Sequence, residues 1–275
     1  MANYTAADVK ALRERSGAGM MDCKSALDEA DGNVEKALEV LRLKGLKGVT
    51  KREGRTTSNG LIVARVSGNT GWLLELACET DFVAKADKFI ALSESIADAV
   101  VAAGAVTLDE ALAADFGGKT VADAINDEAA IMGEKVELRR LAVVKGDAVD
   151  AYLHRTSKDL PPQVGVLVAY SGSDADTAHD VAVHIAAFSP VHLHRDDVDA
   201  DLVATERRIA EETARNEGKP EAALPKIVEG RVTGFFKENV LLEQDFAKDN
   251  KLTVAKVLEN AGVTVGEFVR FRVGA

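Results

Sequence analysis

The sequence predicts an α+β protein in which an N-terminal three-helix bundle precedes two related α+β subdomains with antiparallel sheets. Three short helical segments come first, followed by the order strand, strand, helix, helix, strand, and a similar order returns later in the chain. Strands grouped ahead of helices are typical of antiparallel sheets, because parallel sheets alternate strand and helix. We therefore predict units at residues 1–55, 56–146 and 147–275, the last including a helical hairpin at about residues 199–232.

The composition excludes several classes of protein. The 275 residues include 34 Lys and Arg, 45 Asp and Glu and 47% hydrophobic side chains, which is ordinary globular usage with a net charge of −11. An acidic chain is a poor general nucleic-acid binder, because neutralising phosphates requires many Lys and Arg side chains. No apolar run reaches the roughly 20 residues that cross a bilayer, and residues 1–30 lack a secretory signal. We therefore expect a cytoplasmic protein with no membrane partner and no direct contact to nucleic acid.

Capping patterns place the three helices of the bundle. Thr5 and Asp8 have the spacing of a capping box, and Gly17 offers a left-handed stop to the helix that they begin. Asn33 can cap the third helix. The second helix is predicted to bury one apolar face, formed by Met20, Cys23 and Leu27.

A basic stretch follows at residues 36–55, with seven Lys and Arg against two Glu. Its glycines and the polar run that ends it predict a linker rich in turns. A solvated linker is favoured over a phosphate-binding arm, because this charge is spread over twenty residues. A domain boundary near residue 55 follows.

The first α+β unit begins with a hairpin. Residues 61–66 and 72–77 are strand-like and flank a turn. Thr80 can cap the helix that follows, which places Asp81 and Phe82 in its first turn. The rest of the unit is predicted as helices at 84–103 and 120–132 and a strand at 136–144.

The second unit has strands near 149–155 and 164–170, a helix through 181–187 and a last strand at 265–273. Its charged helical hairpin carries a thin apolar stripe, predicted to consist of Leu202, Ile209 and Thr213. A core this small implies a protruding structure or a face that rests on another protein. The hairpin could also support a homodimer.

No catalytic, metal or cofactor site is predicted. Residues 117–120 suggest a phosphate loop, but Ala113 stands where that motif needs glycine, so a glycine stop and a threonine cap are favoured. Cys78 is interpreted as a buried free cysteine. Structural or exposed side chains are favoured over zinc ligands for four clustered histidines, His179, His184, His192 and His194. Composition alone favours a core position for Phe82 over an exposed one.

Two segments resemble a known family. Residues 12–27 (LRERSGAGMMDCKSAL) and 80–84 (TDFVA) are similar to the bacterial elongation factor Ts family, the nucleotide exchange factors of elongation factor Tu. Residues 162–168 and 229–231 resemble the family as well, so the likeness extends over nearly the whole chain. It implies a ubiquitin-associated-like fold for the bundle and a duplicated core for the two α+β units.

The resemblance also implies a function and a set of contact residues. The chain would bind elongation factor Tu in its GDP-bound and nucleotide-free states and act through protein contact, with neither an enzymatic step nor a cofactor. Phe82 would enter an apolar pocket of the partner's nucleotide domain, with Asp81 beside it, and displace elements that hold magnesium and diphosphate. The other implied contacts are Thr80 and Val83 in the same motif, His154 in the second unit, and Leu12, Arg13 and Met20 in the bundle.

A different function stays open from the sequence. A ubiquitin-associated-like adaptor or chaperone-type protein would bind its partner through residues 1–45 alone. It predicts that the isolated bundle binds as tightly as the whole chain.

Overall fold

The computed structural model describes residues 3–16 and 18–275, with the backbone alone for residues 46–51. The predicted helix stop at Gly17 lies outside the described residues. The α+β class is confirmed, with a helical bundle followed by two helix-covered antiparallel sheets. No helix in the described ranges is long and apolar enough to cross a membrane.

The bundle consists of α1 (Ala6–Ser16), α2 (Met20–Glu29) and α3 (Val34–Arg52). Its predicted caps are confirmed. The backbone N–H of Thr5 donates to Asp8 Oδ2 at 2.7 Å, and the N–H of Lys36 donates to Asn33 Oδ1 at 3.0 Å. Its core is closed by small and apolar side chains that include Val9, Leu12, Cys23, Ala26, Leu27 and Ala37.

The first unit forms a three-stranded antiparallel sheet in the order β1-β2-β3. Ser67 pairs with Thr70 at the tight turn, so the predicted hairpin is confirmed. The elements are β1 (Asn59–Ser67), β2 (Thr70–Cys78), α4 (Asp81–Ala84), α5 (Asp87–Ala103), α6 (Leu108–Ala113), α7 (Val121–Met132) and β3 (Val136–Lys145). Helix α6 was not predicted, although Thr107 and Glu110 form a capping box at its start.

The predicted basic linker is wrong as far as Arg52, because α3 is helical up to that residue. Gly45 does not make a turn. It lies against α7, where a Cβ on Gly45 would be 2.5 Å from Ala130 Cβ. The glycine therefore allows two helices to approach closely, and the bundle docks directly on the first unit.

The second unit repeats this topology in the order β4-β5-β8. In both sheets the central strand has a register shift against the last strand, at Glu75/Leu76 and at Ala169/Tyr170. The elements are β4 (Ala148–His154), β5 (Val164–Ser171), α8 (Ala175–Phe188), α9 (Ala200–Asn216), α10 (Leu224–Asn239), β6 (Asp245–Phe246), β7 (Asp249–Thr253), α11 (Val254–Ala261) and β8 (Thr264–Arg272).

The two sheets pack face to face and their outer faces are covered by helices. Leu73 of β2 and Leu167 of β5 belong to the cluster between the sheets, while Leu74 and Val166 point to the helices on either side. Strand β2 is therefore buried along its whole length.

The helical hairpin is formed by α9 and α10, and its predicted apolar stripe is wrong. Leu202 and Ile209 are 40% and 44% exposed. The two arms instead meet through Ala210 of α9 and larger side chains of α10, because a small residue lets the helices approach. The α10 members of this seam are Val228, Val232 and Phe236.

Candidate functional site

The turn after β2 presents an aromatic ring to solvent. Phe82 is 75% exposed, so the composition-based expectation of a core position is wrong. The first unit buries Ala84 and Phe89 instead, and these side chains leave Phe82 on the outer side of the one-turn helix α4. An exposed ring at a corner of the molecule has most of its surface available for contact with another protein.

Thr80 caps this turn as predicted. Its hydroxyl oxygen accepts the N–H of Val83 at 3.4 Å, and its backbone is extended. The helix stops after one turn at Lys85, so the long helix predicted from residue 84 begins only at Asp87. Thr80, Asp81 and Val83 are partly exposed around the ring.

Lys85 contacts both the Asp81 carboxylate and the Phe82 ring. Lys85 Nζ is 3.1 Å from Asp81 Oδ2 and 4.6 Å from the centre of the Phe82 ring. A cation over an aromatic face contributes about 0.5–1 kcal/mol at exposed sites. The contact with Lys85 therefore favours one orientation of the Phe82 ring, beside a carboxylate that is paired with the same lysine.

The backbone before the ring is held by a glutamate from a distant part of the chain. Glu134 Oε2 accepts the N–H of Glu79 at 3.1 Å and the N–H of Thr80 at 3.0 Å, and Glu134 Oε1 accepts the Thr80 hydroxyl at 2.5 Å. In return, Glu79 Oε1 accepts the N–H of Lys135 at 2.6 Å. Sequence reasoning missed Glu134, because no local pattern links residues 54 positions apart.

A buried thiol adds one more tie. Cys78 Sγ donates to the carbonyl oxygen of Thr80 at 3.2 Å. Burial raises the pKa of the Cys78 thiol to about 12, and the negative charge of Glu134 acts in the same direction. The thiol therefore stays protonated, and the interpretation of Cys78 as a buried free cysteine is confirmed.

The bundle residues implied by the resemblance differ in accessibility. Leu12 is completely buried in the bundle core, so its side chain cannot contact a partner and this expectation is wrong. Met20 is 54% exposed because it opens α2, so it does not share the buried face of Cys23 and Leu27. Arg13 is exposed on α1.

The bundle lies beside the Phe82 turn. Lys88 Nζ of α5 donates to the carbonyl oxygen of Arg15 at 3.3 Å. Gly19, immediately before Met20, and Gly133, immediately before Glu134, line one cavity of about 390 Å³. The structure therefore brings the start of α2 and the support of the Phe82 turn to the same region.

His154 belongs to a separate surface on the second unit. It is exposed at the end of β4, and its Nδ1 lies 3.0 Å from the hydroxyl of Tyr152. The Tyr152 ring in turn packs edge-on against His179, which is 3.1 Å from Asp150 Oδ2. This hydrogen bond and packing fix the orientation of the His154 ring.

The remaining candidates for chemistry have structural roles. His184 is buried, with Nε2 bonded to Gln244 Oε1 at 2.8 Å. Thr120 caps α7 as predicted, accepting the N–H of Asp123 at 3.0 Å. Within the described part of the chain, no group of three or more His, Cys, Asp and Glu side chains is arranged to hold a metal ion. The site therefore offers a fixed aromatic projection suited to contact with another protein.

Comparison with known proteins gives a consistent picture. The family model described as Elongation factor TS matches residues 79–275. The chain is 64% identical over 277 residues to elongation factor Ts of Micrococcus luteus, and 64% identical over 275 residues to that of Clavibacter michiganensis subsp. michiganensis. It is 60% identical over 276 residues to elongation factor Ts of Leifsonia xyli subsp. xyli. All three alignments cover 100% of this chain and 100% of the relative, including the bundle that precedes the matched family model.

Proposed function

Because this chain belongs to the elongation factor Ts family of nucleotide exchange factors, we propose that it promotes GDP release from elongation factor Tu by inserting Phe82. The ring, with Asp81 beside it, enters the nucleotide domain near the groups that hold magnesium and diphosphate. The observation that carries this proposal is the 75% exposure of Phe82 on a turn whose backbone is fixed by Glu134.

Burial of the ring supplies the driving force for insertion. Moving a phenylalanine side chain from water into an apolar pocket contributes about 1.5–3 kcal/mol. The free protein already holds the ring outside, so little of this free energy is lost to rearrangement of this chain.

Other contacts must share the work. Accelerating release by about a thousandfold to a hundred-thousandfold requires about 4–7 kcal/mol of differential stabilisation, which exceeds what one ring provides. Arg13 and Met20 of the bundle and His154 of the second unit are exposed and supply the additional contacts. By linkage, bound nucleotide lowers the affinity of elongation factor Tu for this protein by the same ratio as this protein lowers its affinity for nucleotide.

The partner is bound in its GDP state, and the complex passes through a nucleotide-free state before GTP enters. We place this activity in the cytoplasm, where translation elongation takes place. Cys23 and Cys78 are both buried free thiols, as expected in a reducing compartment.

The docking of the bundle weighs against an independent adaptor. Arg42 of α3 makes two hydrogen bonds with Asp127 of α7, at 3.0 and 2.9 Å, and Gly45 lies directly on Ala130. A partner that contacts the bundle is therefore close to the first unit as well, so the two parts act as one binding surface.

The proposal is tested by release of fluorescently labelled GDP from elongation factor Tu. Phe82→Ala is expected to lower the rate of catalysed release by about tenfold to hundredfold, as the lost burial implies. Its thermal unfolding midpoint should stay that of the wild type, because the ring is mostly in water.

The matched control is Phe188→Ala, which removes a ring that is 52% exposed on the second unit. This variant should release GDP at the wild-type rate. Wild-type release by Phe82→Ala itself would overturn the insertion mechanism.

A further inference from the structure

We propose that Glu134 is a positioning residue for nucleotide exchange, acting through the backbone of residues 79–80 to hold Asp81 and Phe82 in their insertion geometry. The inference rests on the proposed function of Phe82. It assigns a role to a residue that lies outside the TDFVA motif and comes from the connection between α7 and β3.

Glu134 satisfies donors that the sheet leaves free. The pairing of β2 with β3 ends at Cys78 and Val136, so Glu79 and Thr80 lie beyond the last paired residue. Both N–H groups point to Glu134 Oε2, at 3.1 and 3.0 Å, and the Thr80 hydroxyl donates to Oε1 at 2.5 Å. One carboxylate thus accepts the backbone N–H groups of the two residues that follow the paired part of β2.

The arrangement is reciprocal, which makes it rigid. Glu79 accepts the N–H of Lys135, and its carboxylate also lies 3.2 Å from Arg55 Nη1. The carbonyl oxygen of Glu79 accepts the side-chain amide of Asn59 at 2.9 Å. Hydrogen bonds to an ionised acceptor are about twice as strong as neutral ones. The chain is therefore held on both sides immediately before Asp81.

Loss of the Glu134 carboxylate has a local consequence. Two backbone N–H groups and one hydroxyl would lose their acceptor, and the turn would relax to bring them to water. The Thr80 hydroxyl also caps α4, so the one-turn helix that carries Phe82 would lose its fixed start. The ring would then be presented in many orientations, and few of them would fit a preformed pocket.

The chain contains a matched control for this carboxylate. Glu110 Oε2 accepts two successive N–H groups, from Val106 at 2.8 Å and Thr107 at 3.0 Å, at the start of α6. Glu110 accepts backbone N–H groups as Glu134 does, but the segment that it supports does not carry Phe82. A general effect of removing such a carboxylate should therefore appear equally in Glu110→Ala.

The experiment measures catalysed GDP release from elongation factor Tu over a range of Tu·GDP concentrations. Glu134→Ala is expected to lower kcat by at least about tenfold, equal to about 1.4 kcal/mol, while KM changes less than about threefold. The bundle and the second unit still dock, so binding is retained while insertion is impaired. Glu134→Gln keeps an acceptor oxygen and should stay within about threefold of the wild-type kcat. Glu110→Ala should exchange at the wild-type rate.

A second readout separates positioning from direct contact. If Glu134 acts through Phe82, adding Glu134→Ala to Phe82→Ala should produce little further loss, whereas independent contacts would give losses that multiply. Hydrogen exchange of the Glu79 and Thr80 amides in the full-length protein should be fast in Glu134→Ala and slow in Glu110→Ala.

The outcomes distinguish the two proposals. Wild-type release by Phe82→Ala overturns the insertion mechanism itself. Loss of release in Phe82→Ala with a wild-type kcat in Glu134→Ala overturns the positioning role alone. Multiplying losses in the double variant, or unchanged amide exchange in Glu134→Ala, would overturn the positioning role in the same way.

Discussion

The two α+β units place different structures at the same point of the fold, the turn from the central strand into the following helix. In the second unit, Asp174 caps α8 by accepting the N–H of Thr177 at 2.9 Å and its hydroxyl at 3.0 Å. In the first unit the corresponding turn carries an exposed ring on a one-turn helix, and Glu134 from another element holds it. The turn that leads into the long helix α8 is fixed by its own cap, whereas the turn that presents Phe82 has a local cap at Thr80 and additional support from Glu134, which lies elsewhere in the chain.

The central strands of the two units also differ in the residue that stands at their register shifts. Glu75 of β2 and Ala169 of β5 occupy the same position relative to the shift. Glu75 is completely buried between the sheets, where Arg140 Nε lies at 2.6 Å and Arg139 Nη1 at 3.3 Å. The first unit therefore holds a charge network, made of one buried carboxylate and two partly exposed arginines, where the second unit packs a methyl group.

The largest expected effect follows from removing that charge. Glu75→Ala should lower the free energy of unfolding by about 1.5–3 kcal/mol, because Arg139 and Arg140, which are 25% and 31% exposed, lose a completely buried carboxylate that accepts their hydrogen bonds. The N–H of Gly274 would also lose its acceptor. Urea denaturation followed by circular dichroism measures the change.

Ala169→Gly is the control at the corresponding position of the second unit. It removes one methyl group from the same interface and should cost about 1–2 kcal/mol, from lost apolar burial and from the freedom of glycine in a strand. Equal losses in the two variants would mean that the charge network of the first unit adds nothing specific.

Local signals predicted much of this fold, and long-range packing was missed. The β1–β2 hairpin and the cap at Thr120 depend on residues close in sequence, so their patterns were sufficient. The face-to-face packing of the sheets was not predicted, because a strand covered on both faces shows no alternation of polar and apolar residues. Gly45 was misread as a turn signal, since a glycine at a helix contact and a glycine in a turn look alike in sequence.

The site was predictable only in part. Residue type alone favoured a buried Phe82, and the likeness of residues 80–84 to a known family was what pointed to it. Leu12 lies in the other matched segment, residues 12–27, yet it is a core residue, because a motif contains structural as well as contact positions. Glu134 carries no signal in the local sequence, since its partners are more than fifty residues away.

A third contrast concerns the helix that precedes the last strand of each unit. Helix α7 is covered by the bundle, whereas α11 leaves Lys256 and Glu259 in solvent. Gly45→Ala should push α3 away from α7, because the added Cβ would lie 2.5 Å from Ala130 Cβ and 2.7 Å from the Ala130 carbonyl oxygen. Overpacking of this kind costs about 1–3 kcal/mol. Hydrogen exchange should report faster exchange in α7, and thermal unfolding should report the lower stability.

Gly230→Ala is the control for this substitution. Gly230 is also helical, but nothing lies within 4 Å of the position of its Cβ. Alanine there should raise stability by up to about 1 kcal/mol, because it restricts the unfolded chain and favours the helix. Similar stability of the two alanine variants would mean that α3 and α7 separate without cost.

The smallest expected effect depends on pH and distinguishes the helices α5 and α8. Helix α5 buries no titratable side chain, whereas α8 buries His184. The Gln244 amide donates to the carbonyl oxygen of Glu238, so its Oε1 faces the imidazole and His184 carries its proton on Nε2. The other nitrogen, Nδ1, accepts the N–H of Ala247 at 3.2 Å. A proton added to Nδ1 would therefore point at the N–H of Ala247 inside a buried site.

Burial lowers the pKa of His184 below its ordinary value of 6.5, against a smaller opposite effect of the bond to Gln244. The unfolded chain then binds the proton more readily, so stability contributed by neutral His184 is present above about pH 6.5 and is lost as the pH falls through the folded pKa. The loss should not exceed about 1.4 kcal/mol per pH unit for one proton. Urea denaturation between pH 7.5 and pH 5 should show this slope in wild type and in His194→Gln, whose histidine is exposed. His184→Gln should flatten it, and an unchanged slope in that variant would place the acid sensitivity elsewhere in the protein.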